Sequence, residues 1–110
     1  MTALGGLFLV AHGLVHIAVW VSPQPPDAPF DARHSWILGD AVSLTRALAM
    51  ICCVLFVMAG ILVLAGAGVG ATLAAAAAAI SLLLVLVAFN PWLLAAIAVN
   101  LAIIVVVATS

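Results

Sequence analysis

Apolar residues run along this chain in long blocks, and only three places interrupt them. The first is Ser22–Asp40, rich in proline and carrying most of the charged side chains; the second is Gly66-Ala67-Gly68-Val69-Gly70; the third is the dipeptide Asn90-Pro91. Lipid satisfies no backbone hydrogen bonds, so a chain segment that crosses a bilayer does so as a helix of about 20 mostly apolar residues. The blocks therefore predict four spans, near 3–21, 41–65, 71–89 and 91–109, joined by one polar loop at 22–40. Three glycines in five residues suit a tight uncharged turn. Pro91 biases Asn90 out of the helical region and is itself suited to a first helical position. The expected fold is a single transmembrane domain, an all-α bundle of four antiparallel helices.

Composition sharpens this picture. Of the 110 residues 70% are hydrophobic and 5% charged, whereas a soluble domain is about 45–50% apolar. The charged side chains are Asp27, Asp31, Arg33, Asp40 and Arg46, all within one short window. With two arginines and no lysine the chain lacks the cationic surface that phosphate neutralisation requires, so nucleic-acid binding is excluded. The first block has no basic leader and meets Val21-Ser22-Pro23 without a small-x-small cleavage pattern, so it reads as a retained span.

The predicted topology puts the 22–40 loop and the Asn90-Pro91 turn on one side of the membrane, with the glycine turn and both ends of the sequence on the other. Trp20, Trp36, Trp92, Phe30 and Phe89 all map to the loop side, where indole rings suit the headgroup level. The expected location is the cell membrane, multi-pass, with the lipid bilayer as first partner and a homodimer or a larger membrane complex as a second. Two arginines would draw the loop to the cytoplasm, while the amino terminus argues the other way, so orientation stays open. The run Ala74–Ala79 favours close helix approach.

Candidate chemistry is concentrated in the first span. His12 and His16 are one helical turn apart, and Trp20 continues the same face toward the loop. An ionisable residue at mid-membrane depth faces the bundle interior or a water-filled cavity. Two neutral imidazoles bonding across helices are one reading; a proton relay, a ligand pocket and a metal or haem site are the others. His12, His16 and His34 with Asp31 or Asp40 would make a zinc-like set if the loop folded into the bundle mouth. Haem would need a facing imidazole from a symmetric second copy.

On the second span Arg46 either anchors at the interface or lines the pocket mouth beside His16, and Cys52 and Cys53 diverge too far around the helix to pair. A copper(I) set of Met50, Cys53 and a histidine is chemically conceivable. Asn100, central in the fourth span, needs a partner at that depth, and His12 stands level with it. The pocket-lining set is thus His12, His16, Trp20, Arg46 and Asn100.

Four spans in so short a chain resemble the small multidrug resistance transporters, although their membrane-embedded glutamate has no counterpart in a sequence without Glu. The layout of one span, a longer polar loop and three tightly joined spans is similar to DoxX-like bacterial membrane proteins. The segment from His12-Gly13-Leu14-Val15-His16 through Pro29-Phe30-Asp31-Ala32-Arg33-His34-Ser35-Trp36 to Gly39-Asp40 resembles alanine-rich actinobacterial membrane proteins. These likenesses imply a bacterial inner-membrane four-helix protein and no catalytic residues. Together the readings point to a non-enzymatic accessory or small-molecule-binding protein without a cofactor. The alternatives are a proton-coupled transporter using a membrane-embedded histidine, or a metal- or haem-binding redox protein.

Overall fold

The computed structural model describes residues 2–23, 26–28 and 34–109, with the Trp92 side chain left aside. Phe30, Asp31 and Arg33 lie outside the described residues, and with them the Asp31 carboxylate of the expected zinc-like set. Four α-helices pack against one another: α1 (Ala3–His16), α2 (Val42–Leu64), α3 (Val69–Val87) and α4 (Leu94–Ala108). A π-helical turn, Ile17–Val21, prolongs α1, and a 3-10 turn, Pro91–Leu93, leads into α4.

The ends of the helices follow from local chemistry. Thr2 caps α1, its hydroxyl accepting from the Gly5 N–H at 3.3 Å. After α2 the chain turns in a Schellman arrangement, with Ala67 N–H donating to Leu62 O and Gly66 N–H to Val63 O. The turn requires Gly66 at φ +78°, a conformation that side chains with a Cβ resist. At Asn90-Pro91 the chain tightens, and Leu93 N–H donates to Asn90 O at 2.8 Å. That 3-10 turn takes the first residues of the block expected as the fourth span, so α4 itself has 15 residues. Three helical segments, Ala3–Val21, Val42–Leu64 and Val69–Val87, are long and apolar enough to cross a membrane, and α4 is a shorter apolar helix.

The buried positions follow a heptad step: Gly6, Leu9, Gly13, His16 and Trp20 from α1 into its π turn, then Thr45, Ala49, Cys52, Phe56 and Ala59 on α2. On α3 the stripe is Gly70, Ala74, Ala77, Ser81 and Leu84, and on α4 it is Asn100 and Ile103. Spacing of three and four residues is the signature of helices packed at a shallow left-handed crossing. The stripe combines small and polar residues with Leu9, Trp20, Phe56 and Leu84, while Leu4, Leu14, Val54, Ile61, Leu94 and Val105 are each more than half exposed. The outer faces of the helices are thus strongly apolar, unlike those of a soluble bundle.

Helices α1 and α2 touch backbone to backbone. A Cβ built on Gly60 would stand 2.6 Å from Gly6 O and 2.7 Å from Val10 Cγ2. One on Gly13 would stand 2.9 Å from Phe56 Cβ and 3.0 Å from Cys53 O. The pairings Gly6 with Gly60 and Gly13 with Cys53 show that these two helices run in opposite directions. Gly70 makes the same kind of approach between α3 and α2, against Val63 N and Ala59 O. By contrast α1 and α4 stand further apart.

The end of the long loop is a small hairpin in which His34 pairs with Asp40 and Ser35 with Gly39, the last at φ +76°. It caps α3: the Ser35 hydroxyl donates to Val87 O and the Trp36 indole N–H to Leu86 O. Both are carbonyls of the last turn, which the helix itself leaves unsatisfied. The tip, Trp36-Ile37-Leu38, remains exposed.

Backbone contact at Gly60 leaves no room for adjustment. Gly60→Val is expected to cost about 3 kcal/mol or more in denaturant unfolding from detergent micelles, whereas Gly68→Ala, which meets open space, is expected to unfold like the wild type.

Candidate functional site

The site forms where α1, α3 and α4 converge around Phe56 of α2. His12 Nε2 lies 3.1 Å from Asn100 Oδ1, and Asn100 Nδ2 lies 2.9 Å from Ser81 Oγ. His16 Nε2 lies 2.8 Å from the same Ser81 Oγ, while His16 Nδ1 lies 2.9 Å from His12 O. Asn100, Ser81 and His16 are almost wholly buried, at 0%, 1% and 2% exposure, and His12 is half-buried.

Donor and acceptor chemistry sets the direction of every bond. A carbonyl only accepts, so His16 carries its proton on Nδ1 and, when neutral, offers a lone pair at Nε2. Ser81 therefore donates its hydroxyl to His16 Nε2 and accepts from the Asn100 amide. The amide oxygen accepts in turn from His12, which places the His12 proton on Nε2 and leaves Nδ1 as a lone pair. The run His12 → Asn100 → Ser81 → His16 → His12 O aligns each donor with an acceptor while both imidazoles are neutral, and it uses one of the two amide hydrogens of Asn100. Such matching matters because a polar group left unmatched in an apolar interior costs up to several kcal/mol.

Aromatic rings frame this circuit. Phe8 stacks on His12 at 5.7 Å between centroids and 8° between planes, and Trp20 stacks on His16 at 5.6 Å and 28°. Phe56 meets His12 edge-on at 4.8 Å and lies against His16 at 5.5 Å. The π turn contributes to the ladder. A step of four residues overshoots one α-helical turn by about 40°, and the wider turn after His16 offsets that drift, keeping Trp20 over the His16 ring. The indole is buried with Ala49, Leu84, Val85 and Leu93. Its Nε1–H has no partner among the described residues.

In comparisons with known proteins, no family model matches the chain, and neither a curated protein nor a solved structure matches it.

Of the residues expected to line a pocket, His12, His16, Trp20 and Asn100 come together. Arg46 does not join them: it follows buried Thr45 on α2 and is exposed. Trp20, expected also as an interfacial anchor, lies inside the bundle, while Trp36 and Phe89 keep exposed positions near the end of α3. His34 sits exposed in the hairpin. Among the described residues no group of three or more His, Cys, Asp or Glu side chains is placed to hold a metal ion. The donor set does not fit one either, because both nitrogens of His16 and one of His12 are committed to hydrogen bonds. Cys52 is buried against the core, Cys53 is half-buried, and both are free thiols.

Sequence reasoning missed Ser81, Phe8 and Phe56. Ser81 is the one hydroxyl in the apolar stretch from Leu73 to Phe89, a signal that was available. Phe8 continues the four-residue step backward from His12, also visible in the sequence; Phe56 depends on how α2 packs and left no such mark.

Nitrogen-15 NMR of the purified protein should report His12 as the Nε2–H tautomer and His16 as the Nδ1–H tautomer; the opposite pair would contradict these bond directions. A double-mutant cycle of His12→Ala with Asn100→Ala should give a coupling of about 0.6–2 kcal/mol in unfolding.

Proposed function

We propose that the protein is a multi-pass membrane protein of the cell membrane that acts without catalysis, as a small-molecule-binding accessory protein. Its interior would be held in one arrangement by the histidine circuit. The membrane part of this reading is supported by the large apolar side chains exposed along all four helices, with His16, Ser81 and Asn100 buried within. Only in hydrocarbon is such a surface well solvated, and there small residues at helix contacts replace hydrophobic burial as the source of association.

The observation that carries the functional part is the closure of the hydrogen-bond circuit around His16. Both of its nitrogens are engaged and its ring packs against Trp20 and Phe56. A histidine so committed positions its neighbours and is poorly placed to act as a base or a metal ligand. Proton-coupled transport is the weaker reading, because the route between the imidazoles passes through the Asn100 amide, which hands on a proton only by giving up its amide form. The binding function then falls to His12, whose ring is only half-buried.

Two measurements test the reading. In a Cys52→Ala/Cys53→Ala background, single cysteines at Leu38 and at Gly68 should label from opposite sides of reconstituted vesicles; same-side labelling would contradict the multi-pass arrangement. Mass spectrometry and elemental analysis of protein extracted in mild detergent should find a co-purifying apolar organic molecule. A stoichiometric transition metal lost in His12→Ala would overturn the non-catalytic, cofactor-free assignment.

A further inference from the structure

Two observations at the α1–α4 junction converge. The first is a crevice of about 350 Å³ between these helices, lined by Leu4, Gly5 and Phe8 on one side and Ala102, Ile103 and Val106 on the other. It is apolar and opens to the bundle's outer surface, the side from which a membrane-dissolved molecule would arrive. The second is His12 Nδ1, left as a lone pair by the Nε2–H tautomer. No partner for it exists among the described residues, and unlike the Trp20 indole N–H it is not enclosed. The two lie close together. Phe8 lines the crevice and stacks on the His12 ring, while Ile103 lies one helical turn from Asn100, the residue that bonds His12.

We propose that this crevice binds an apolar molecule carrying one hydroxyl group, whose O–H donates to His12 Nδ1 while its body lies between Phe8 and the α4 side chains. The inference rests on the small-molecule-binding reading and adds the site and the ligand class. A donor is required because the neutral imidazole presents only an acceptor there; a carbonyl or ether oxygen would meet lone pair with lone pair. A charged head group fits poorly, since no opposite charge lines the crevice and an unpaired ion would carry a large desolvation cost. The accepted chemistry is therefore a phenol or a long-chain alcohol. Binding also preserves the circuit, because His12 keeps its Nε2 proton for Asn100 and nothing behind it has to rearrange.

The test uses the full chain in lipid nanodiscs, titrated with 4-octylphenol and 1-dodecanol and with the methyl ether of each, followed by nitrogen-15 NMR of the histidines. The hydroxyl compounds should bind about tenfold more tightly than their ethers, the scale of one hydrogen bond, and should move the His12 Nδ1 resonance upfield. His12→Phe, which keeps a ring in the stack, should remove the difference between hydroxyl and ether. Ala102→Trp, which fills the crevice from an exposed position without touching the circuit, should block every probe. A phenol preference abolished by Phe8→Ala would assign an aromatic body to the ligand, and equal binding of the two hydroxyl compounds would assign the hydroxyl alone as the recognised group. If ether and hydroxyl bind alike, or the Nδ1 resonance stays in place, recognition through His12 is overturned while the binding reading stands. If no probe binds at all, both fall.

Discussion

Where helix surfaces are surrounded by hydrocarbon, burying a leucine against another leucine gains little over leaving it in lipid, so shape and a few polar bonds have to select the fold. In this chain shape is supplied by three glycines. Gly6, Gly13 and Gly60 bring the α1 and α2 backbones into direct contact, and that contact sets the height of every residue on α1 relative to Phe56. Because Gly13 lies between His12 and His16 in sequence and sits against Phe56 Cβ, both imidazoles are held against one aromatic ring. Gly70 brings α3 against α2 in the same way, and the polar circuit ties α1 to α3 and α4. Packing thus sets the α1–α2 and α2–α3 pairs, and hydrogen bonding joins α1 and α3 to α4.

The division of labour explains why the junctions differ in character. Between α2 and α3 the run of alanines continues the close approach begun at Gly70, and the interface is apolar. Between α1 and α4 the seam is less closely packed. Leu4, Gly5 and Phe8 on one helix face Ala102, Ile103 and Val106 on the other, and the helices stay apart over the crevice. The His12–Asn100 bond spans the junction beyond the end of that gap. One polar bond thus takes the place of a packed seam at the end of the crevice, one helical turn from Phe8 and Ile103.

Much of the architecture was legible in the sequence because lipid imposes a length rule that hydropathy records directly. The block limits, the glycine turn and the Asn90-Pro91 break are all features of local chemistry, and local chemistry is what a single sequence displays well. The phase of each helix was not legible. When nearly every position is apolar, hydropathy cannot tell inside from outside, and the heptad stripe emerges only from how the helices pack. That is why Trp20, placed at the headgroups by its residue type, is buried, and why Arg46, aligned with the polar face of α2, is exposed. His12 and Asn100 could be matched by depth alone, since a mid-membrane amide has few partners. Ser81 stands out as the one hydroxyl of its apolar stretch, but its partners were not legible, because a serine in an apolar helix can satisfy itself on its own backbone.

The π turn after His16 connects these levels. It is closed by Ser22 N–H donating to Ile17 O at 2.9 Å, a five-residue step, and it lies where α1 leaves the glycine contact and enters the region of Trp20. Within the regular part of α1 the same four-residue step stacks Phe8 on His12, and the wider turn carries the stack on to Trp20, which covers the His16 ring, while His16 Nε2 is directed at Ser81. Distortions of this kind are found most often where a helix has a site to serve. Here the service is indirect: the turn holds His16, His16 orients Ser81, Ser81 orients Asn100, and Asn100 fixes which nitrogen of His12 is left to receive a proton donor at the crevice.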